Sequence, residues 1–502
     1  MFFNKNDNNH VIVIYVLYRA DKNLPLLLLF LSNVQQKWNT ISSMNSTQRS
    51  ALTIAVLTSF LMPFLISGVN IALPAIEKEF DLDAVALSWI VTSYLLSSAV
   101  FLLPLGKFAD IRGQKFVFQG GIILFTIATA LCGIAPNGLT LIILRVIQGL
   151  GASMTLTTSA PILVSVFPPT ERGKVLGINV AAVYLGLSMG PFIGGMLTQY
   201  FGWRSIFLSC VPLGIVAIVL VFFKMKNNLT IRTPGKIDHI GALYYSAGLI
   251  AIVYSSSNLN KSFGWPLMLA GILFLILFVV QCKKSAYPIF EITLLTRNRL
   301  FAFSNIAALI NYSATFSLVF LMSLFHQKIK GFTPQQSGTI LVAQPLMMTI
   351  LSPFAGKLSD KIEPHKLATS GMLISSAGLF LLAFIGQQTP VYLIVAILVL
   401  MGIGFGIFSS PNMNTIMSSV EKRQLGIASG TSATMRVVGQ MVSMMIATLV
   451  FSLYFTGTHI READNALFMS SIRLLFIISG SICLAGVYFS NSRGNLRKLI
   501  PV

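Results

Sequence analysis

With 502 residues, 55% of them hydrophobic and only 10% charged, and a mean hydropathy of +0.79, this chain has the composition of a multi-spanning membrane protein, not of a large soluble enzyme. The net charge of +20 does not point to nucleic acid, because the basic residues fall in brief loops with no cluster interleaved with stacking aromatics. Cys132, Cys210, Cys282 and Cys483 stand singly in or beside apolar segments and the histidines form no HExxH, so neither a metal site nor a cofactor is expected.

The chain opens on two apolar runs, 10–17 and 24–31, each too short to span and separated by Arg19, Asp21 and Lys22. Met44-Asn45-Ser46-Thr47-Gln48-Arg49 then reads as an ordinary cytoplasmic start. Met44 is therefore expected to be the natural initiator, and residues 1–43 a non-native or disordered extension.

Fourteen apolar stretches follow. A run of about 20 such residues crosses the hydrocarbon core as a helix, where no water can satisfy unpaired backbone groups. Six are predicted at 52–76, 88–105, 116–134, 139–166, 174–200 and 205–223. Two shorter ones, 240–257 and 266–281, follow a polar, basic linker. The last six are 301–325, 337–355, 367–385, 391–410, 426–455 and 467–489. The organisation expected is a six-helix bundle over 44–225, a linker with two extra helices over 226–290, a second bundle over 291–492 and a basic tail over 493–502.

Loop charges orient the chain. One side carries Lys107, Arg112, Lys115, Arg172, Lys224, Lys283, Lys284, Arg297, Arg299, Lys357, Lys361, Lys422 and Arg423, among others. The other has only Lys78, Arg204, Lys261, Lys328, Lys330 and Arg461, and its first loop is acidic through Glu77, Glu79, Asp81 and Asp83. The basic side is predicted to be cytoplasmic, with both termini on it and the protein in the cell membrane.

The loop after the second stretch runs Gly106-Lys107-Phe108-Ala109-Asp110-Ile111-Arg112-Gly113-Gln114-Lys115, and Gly356-Lys357-Leu358-Ser359-Asp360-Lys361 occupies the matching place after the tenth. Glycine permits tight turns and close helix approach, and Asp can pair with a cation or accept from a helix N-terminus. The recurrence of GKxxD in corresponding positions marks an internal repeat. Gly106, Asp110, Arg112, Gly113, Lys115, Gly356, Asp360 and Lys361 are read as latches at the helix ends, against the bland reading of ordinary turns.

On these loops the chain resembles the major facilitator superfamily. Arg145-Val146-Ile147-Gln148-Gly149 resembles its intramembrane Arg motif, and the stretch with Gly186, Gly190, Pro191, Gly194 and Gly195 resembles its antiporter motif. The two extra helices and Asp238-His239-Ile240-Gly241 resemble the fourteen-span drug:proton antiporter branch, of EmrB/QacA type. The resemblance implies two pseudo-symmetric bundles around a midplane cavity, exporting hydrophobic or amphipathic compounds against protons. The glycines recur at helical spacing, a surface for close helix packing that the resemblance raises to a gate, and Pro191 can kink its helix. Gly402, Gly404 and Gly406 read as helix packing, since no strand precedes them and no Lys-Ser/Thr follows.

Arg145, Arg436 and Arg473 fall within predicted spans. Each would cost about 2.5–3.5 kcal/mol at the bilayer centre on insertion scales, so they must face the bundle interior or snorkel. Arg145 either binds charge or bonds backbone carbonyls; Arg436 is similar. Leu65 stands where the resembled branch carries an Asp, and no carboxylate lies deep in any span. Cavity candidates are consequently neutral: Asn70, Tyr94, Gln148, Asn179, Tyr184, Asn311, Tyr312, Gln344, Asn412, Asn414 and Gln440.

The function expected is a secondary transporter working as a monomer among membrane lipids, with a small-molecule substrate and protons as coupling ion, and without catalytic residues. An anionic metabolite or siderophore-like compound is the alternative substrate class, and a non-transporting sensor or scaffold a more distant alternative.

Overall fold

The computed structural model describes residues 44–168, 171–225, 236–421, 424–455 and 457–494. The predicted extension 1–43, the tail beyond Gly494, and Lys422 and Arg423 lie outside the described residues. Among those described there is no strand.

The first half contains α1 (Ser46–Phe80), α2 (Ala84–Arg112), α3 (Gln114–Cys132), α4 (Gly138–Val166), α5 (Arg172–Phe201) and α6 (Arg204–Lys224). An inserted pair follows, α7 (His239–Ser256) and α8 (Gly264–Lys284), then a short α9 (Ile292–Arg297). The second half contains α10 (Arg299–Ile329), α11 (Pro334–Ser359), α12 (Pro364–Ala383), α13 (Val391–Ser418), α14 (Leu425–Tyr454) and α15 (Asn465–Ser492). Among the described residues 13 helices are long and apolar enough to cross a membrane. The predicted stretch 240–257 is helical too, as the 18-residue α7. Its His239, Tyr244, Tyr245 and serines dilute its apolarity, and it pairs along its length with α8.

Local chemistry sets the ends. Asn45 and Gln48 form a reciprocal capping box, Gln48 N–H donating to Asn45 Oδ1 at 2.8 Å and Asn45 N–H to Gln48 Oε1 at 3.1 Å. Asp83 and Asn137 cap α2 and α4 by accepting from Ala86 and Thr140 N–H. Gly113, at φ +111°, is the whole connection between α2 and α3, a backbone angle that a side chain would strain.

The two halves repeat one packing scheme. In the first, α1 lies on α5 and α6, α2 on α4, and α3 on α4 and α6. In the second, α10 lies on α14 and α15, α11 on α13, and α12 on α13 and α15. Helix for helix, these are the same neighbours. The halves meet chiefly along two seams, α5 against α11 and α2 against α14, with a smaller contact of α1 on α10, and α7 covers the second seam from outside. Helices exchanged by the repeat also exchange the seams, which describes a pseudo-two-fold axis.

Candidate functional site

One side of the interface is shut. In the first seam, a Cβ added to Gly338 would lie 2.0 Å from the Pro191 carbonyl oxygen, and one on Gly195 would lie 2.6 Å from that of Pro334. Only glycine permits such backbone approach. In the second seam, Thr448 Oγ1 donates to Ser88 Oγ at 2.9 Å. Beyond the helix ends, the loop between α14 and α15 docks on the turn between α1 and α2. Ala84 N–H donates to Thr458 O at 3.1 Å, and Arg461 N–H donates to Oε1 of the buried Glu77 at 2.9 Å. The Arg461 guanidinium pairs with Asp81, and Lys328 Nζ reaches Arg461 O and Ala463 O at 3.1 and 2.8 Å. His459 Nδ1 lies 2.9 Å from Leu82 O. That hydrogen bond, together with the nearby Asp81 charge, raises the imidazole pKa above its ordinary value. Acidic residues of one half and basic residues of the other thus form a clasp.

The opposite side bears the GKxxD loops. Gly177 on α5 and Gly426 and Gly430 on α14 have nothing within 4 Å of the place a Cβ would occupy. Between the clasp and that side, Tyr184, Met348 and Phe405 form a buried cluster with Tyr312 against it. These four side chains come from α5, α11, α13 and α10, so both halves contribute. Tyr312 and Phe405 meet edge to face at 5.4 Å between centroids, a favourable quadrupole geometry. Tyr184 shares a hydrogen bond with Ser409, and Ser188 lies 3.2 Å from Thr349, each joining the halves. Arg436 is half-buried on α14 within electrostatic reach of both tyrosines. Gln440 lies one turn further along the same helix, and Gln344 is buried on α11.

Other candidates lie elsewhere, and most of them are hydrogen-bonded within one half. Arg145 is fully buried inside the first half. Its Nε donates to Ile90 O at 3.0 Å and its Nη1 to Gln148 Oε1 at 2.6 Å, while the guanidinium stacks 4.4 Å above the Tyr94 ring. Gln148 Nε2 continues to Thr129 Oγ1 at 2.7 Å. Tyr94 and Gln148, expected at the cavity, are therefore members of a buried network tying α2, α3 and α4. Asn412 is likewise buried, giving Nδ2–H to Ser304 O and accepting from Arg493. Asn179 accepts from Ser59, and Asn414 donates to Ser359. Asn70 and Asn311 are buried on α1 and α10.

The latch residues sort themselves by half. Gly106 faces Thr157 of α4, and Gly356 faces Ser410 of α13, equivalent places in the repeat. Asp110 accepts from Gln114 Nε2 at 2.7 Å across the Gly113 corner. Lys115 is buried and donates to Met225 O, which ties α3 to the end of α6 within one half and not across the interface. Arg112, Asp360 and Lys361 are exposed. In α5, Cβ atoms on Gly186, Gly190 and Gly194 would strike Phe60 O, Ser67 and Gly68 of α1, whereas Gly195 turns to α11. The motif therefore serves two neighbours at once. Arg473 donates to Ala383 O at 3.2 Å.

A family model described as Major Facilitator Superfamily matches residues 55–283 and 304–501. The chain belongs to this superfamily. Among superfamily relatives, the riboflavin transporter RibZ of Clostridioides difficile (strain 630) is 29% identical over 429 residues, covering 84% of this chain and 92% of its own. Multidrug resistance protein Stp of Mycobacterium tuberculosis (strain ATCC 25618 / H37Rv) is 28% identical, covering 83% and 78%. The methylenomycin A resistance protein of Bacillus subtilis (strain 168) is 28% identical, covering 83% and 91%. Of solved structures, a bacterial homolog of the human lysosomal transporter Spinster, inward-facing and unoccupied, aligns with a TM-score of 0.64 at 16% identity over 90% of this chain and 98% of its own. The human organic anion transporter MFSD10 aligns at 0.60 and 13% identity over 88% and 99%. The fold is that of the superfamily, and the protein is a multi-pass membrane transporter.

Sequence reasoning missed two parts of this superfamily member. The clasp had a signal, since an acidic first loop and the isolated Arg461 and Lys328 were all placed on the sparse side; what was missing was their pairing. Arg493, expected to open the basic tail, is buried, donating to Ser304, Asn412 and Pro364 O. Burial pushes its guanidinium pKa down. A terminal arginine next to tail residues carries no sequence signal for burial.

Proposed function

We propose that the protein is a secondary active exporter of bulky hydrophobic or amphipathic compounds, working by alternating access and coupled to protons. The observation that carries this reading is the interface clasped on one side by ion pairs and hydrogen bonds, with an aromatic cluster built by both halves deeper in the bundle. Flexible Met and aromatic surfaces suit ligands with little geometric demand. The basic loops face the cytoplasm and both termini lie there, so the conformation described is the one that loads from inside. The halves 44–225 and 291–492 rock about the midplane, while α7 rides on the outer seam. Relatives named for multidrug and methylenomycin A resistance support export of drug-like compounds.

One proton moving down 100 mV supplies about 2.3 kcal/mol, and a tenfold gradient requires about 1.4 kcal/mol. Electrogenic exchange of one proton would thus sustain roughly a fiftyfold substrate gradient. Purified protein in proteoliposomes should move amphipathic dyes faster with an imposed pH gradient than without one. Equal flux in both conditions would sink the coupling, and no flux of any dye would sink the export reading.

A further inference from the structure

We propose that the midplane site selects compounds that carry an anionic group on a planar aromatic body, with Arg436 as the group that receives the charge. This rests on the transport reading above and adds the substrate's sign. Four observations point the same way.

First, α14 presents Ser429, Ala433, Arg436 and Gln440 at three- and four-residue spacing, and all four are half-exposed although they lie within a spanning helix. Second, Arg436 lies within electrostatic reach of Tyr184 and Tyr312, hydroxyls contributed by opposite halves. Those rings and Phe405 form the aromatic wall on which a flat ligand would lie. Third, Asn311, next to Tyr312, is fully buried with neither its amide oxygen nor its nitrogen hydrogen-bonded. Spare donor and acceptor capacity therefore stands inside α10, one residue along the chain from Tyr312. Fourth, no described carboxylate lies mid-span. Glu77 and Asp110 are in the last turn of their helices, and the others stand in loops or at helix ends.

Arginine keeps its charge in any accessible environment and presents a planar fork that matches a carboxylate or sulfonate with two hydrogen bonds. The contrast with Arg145 is instructive. That guanidinium gives Nε to a carbonyl and Nη1 to a glutamine and lies on a tyrosine face, all inside one half, with only its Nη2 left unbonded. Arg436 sits at the interface of both. A cation entering the same chamber would meet an uncompensated positive charge in a low-dielectric setting, so it is repelled where an anion is held.

The test compares two xanthene dyes of similar size, anionic carboxyfluorescein and cationic rhodamine 6G. Fluorescence anisotropy on purified wild-type protein should give tighter binding of the anion by about tenfold or more. Arg436→Gln should abolish the preference, Arg436→Lys should retain part of it, and Arg436→Glu should reverse it. Proteoliposome flux should follow the same order, with the change in KM and not in kcat. Cation preference in wild type, or an anion preference unaltered in Arg436→Gln, overturns the proposal. Should Arg436→Glu fail to fold, the wild-type ratio and the Gln variant still decide. Flux of cations alone would leave the export reading standing and refute the charge assignment; binding with no flux would do the opposite.

Discussion

Gly338 and Pro191 belong to different halves, yet a Cβ on the first would sit 2.0 Å from the carbonyl oxygen of the second. The obstacle is backbone, so no rotamer change relieves it. Gly338→Ala should push α5 and α11 apart where they now seal, at a strain of about 1–3 kcal/mol. The closed side should then leak or fail to close, lowering transport several-fold at unchanged membrane insertion. Thiol labelling of a cysteine placed at Gln335, near the same seam, reads the change directly: faster modification in the variant is expected, and an unchanged rate would show that the seam opens elsewhere.

The clasp carries its own pH dependence. His459 is held by Leu82 O and attracted by Asp81, and its pKa is raised above the ordinary 6.5 when the clasp is shut. The sign follows from linkage. Protonation favours the closed state, fully so below the ordinary histidine value, and the contribution is lost as pH rises through the raised value. Spin labels at Lys78 and Glu462, one on each half, should report a growing open population as pH goes from 6 to 8. His459→Gln should flatten that response. An identical titration in the variant would assign the dependence to another group, with Glu77, Asp81, Lys328 and Glu462 as the charged neighbours to examine.

Asp110 and Gln114 bridge the corner at Gly113, and this corner connects two spanning helices with a single residue. Asp110→Asn should leave insertion intact while reducing transport, because the amide still bonds Gln114 but no longer offers a charge to the neighbouring lysines. Gly113→Ala should behave differently, losing thermal stability through its φ of +111° by about 1 kcal/mol or more. Full transport activity by Asp110→Asn in vesicles would remove the latch role and leave only the turn.

Why some of this was legible in the sequence and some was not has a physical basis. Apolar runs must become helices in lipid, so the spans were readable, most ends to within about a turn, while α1, α2 and α13 run six to eight residues past the apolar stretch at one end. GKxxD recurrence exposed the repeat because each loop joins the second and third helices of its half. The antiporter-type glycines were readable as a packing face, but not which neighbour each meets, since α1 and α11 both accept small residues. Polar residues inside spans were the weakest ground. Asn412 and Gln148 look like Gln440 in sequence, and only three-dimensional neighbours separate a buried internal bond from a half-exposed polar group on a spanning helix.

The two intramembrane arginines should therefore fail in different ways. Removing Arg145 as Arg145→Ala leaves Gln148 Oε1 without its donor inside a sealed half, and such an orphan costs about 1–3 kcal/mol. Arg145→Lys should rescue little, because a point charge cannot reproduce the Nε and Nη1 geometry and the stack on Tyr94 together. The expected signature is a lower Tm with KM of the surviving fraction unchanged. For Arg436 the expectation is reversed: a near-normal Tm with an altered KM, since its guanidinium stands half-exposed at the interface and not inside a closed network. A KM shift in Arg145→Lys at wild-type Tm would place that residue on the substrate path and undo the division of roles.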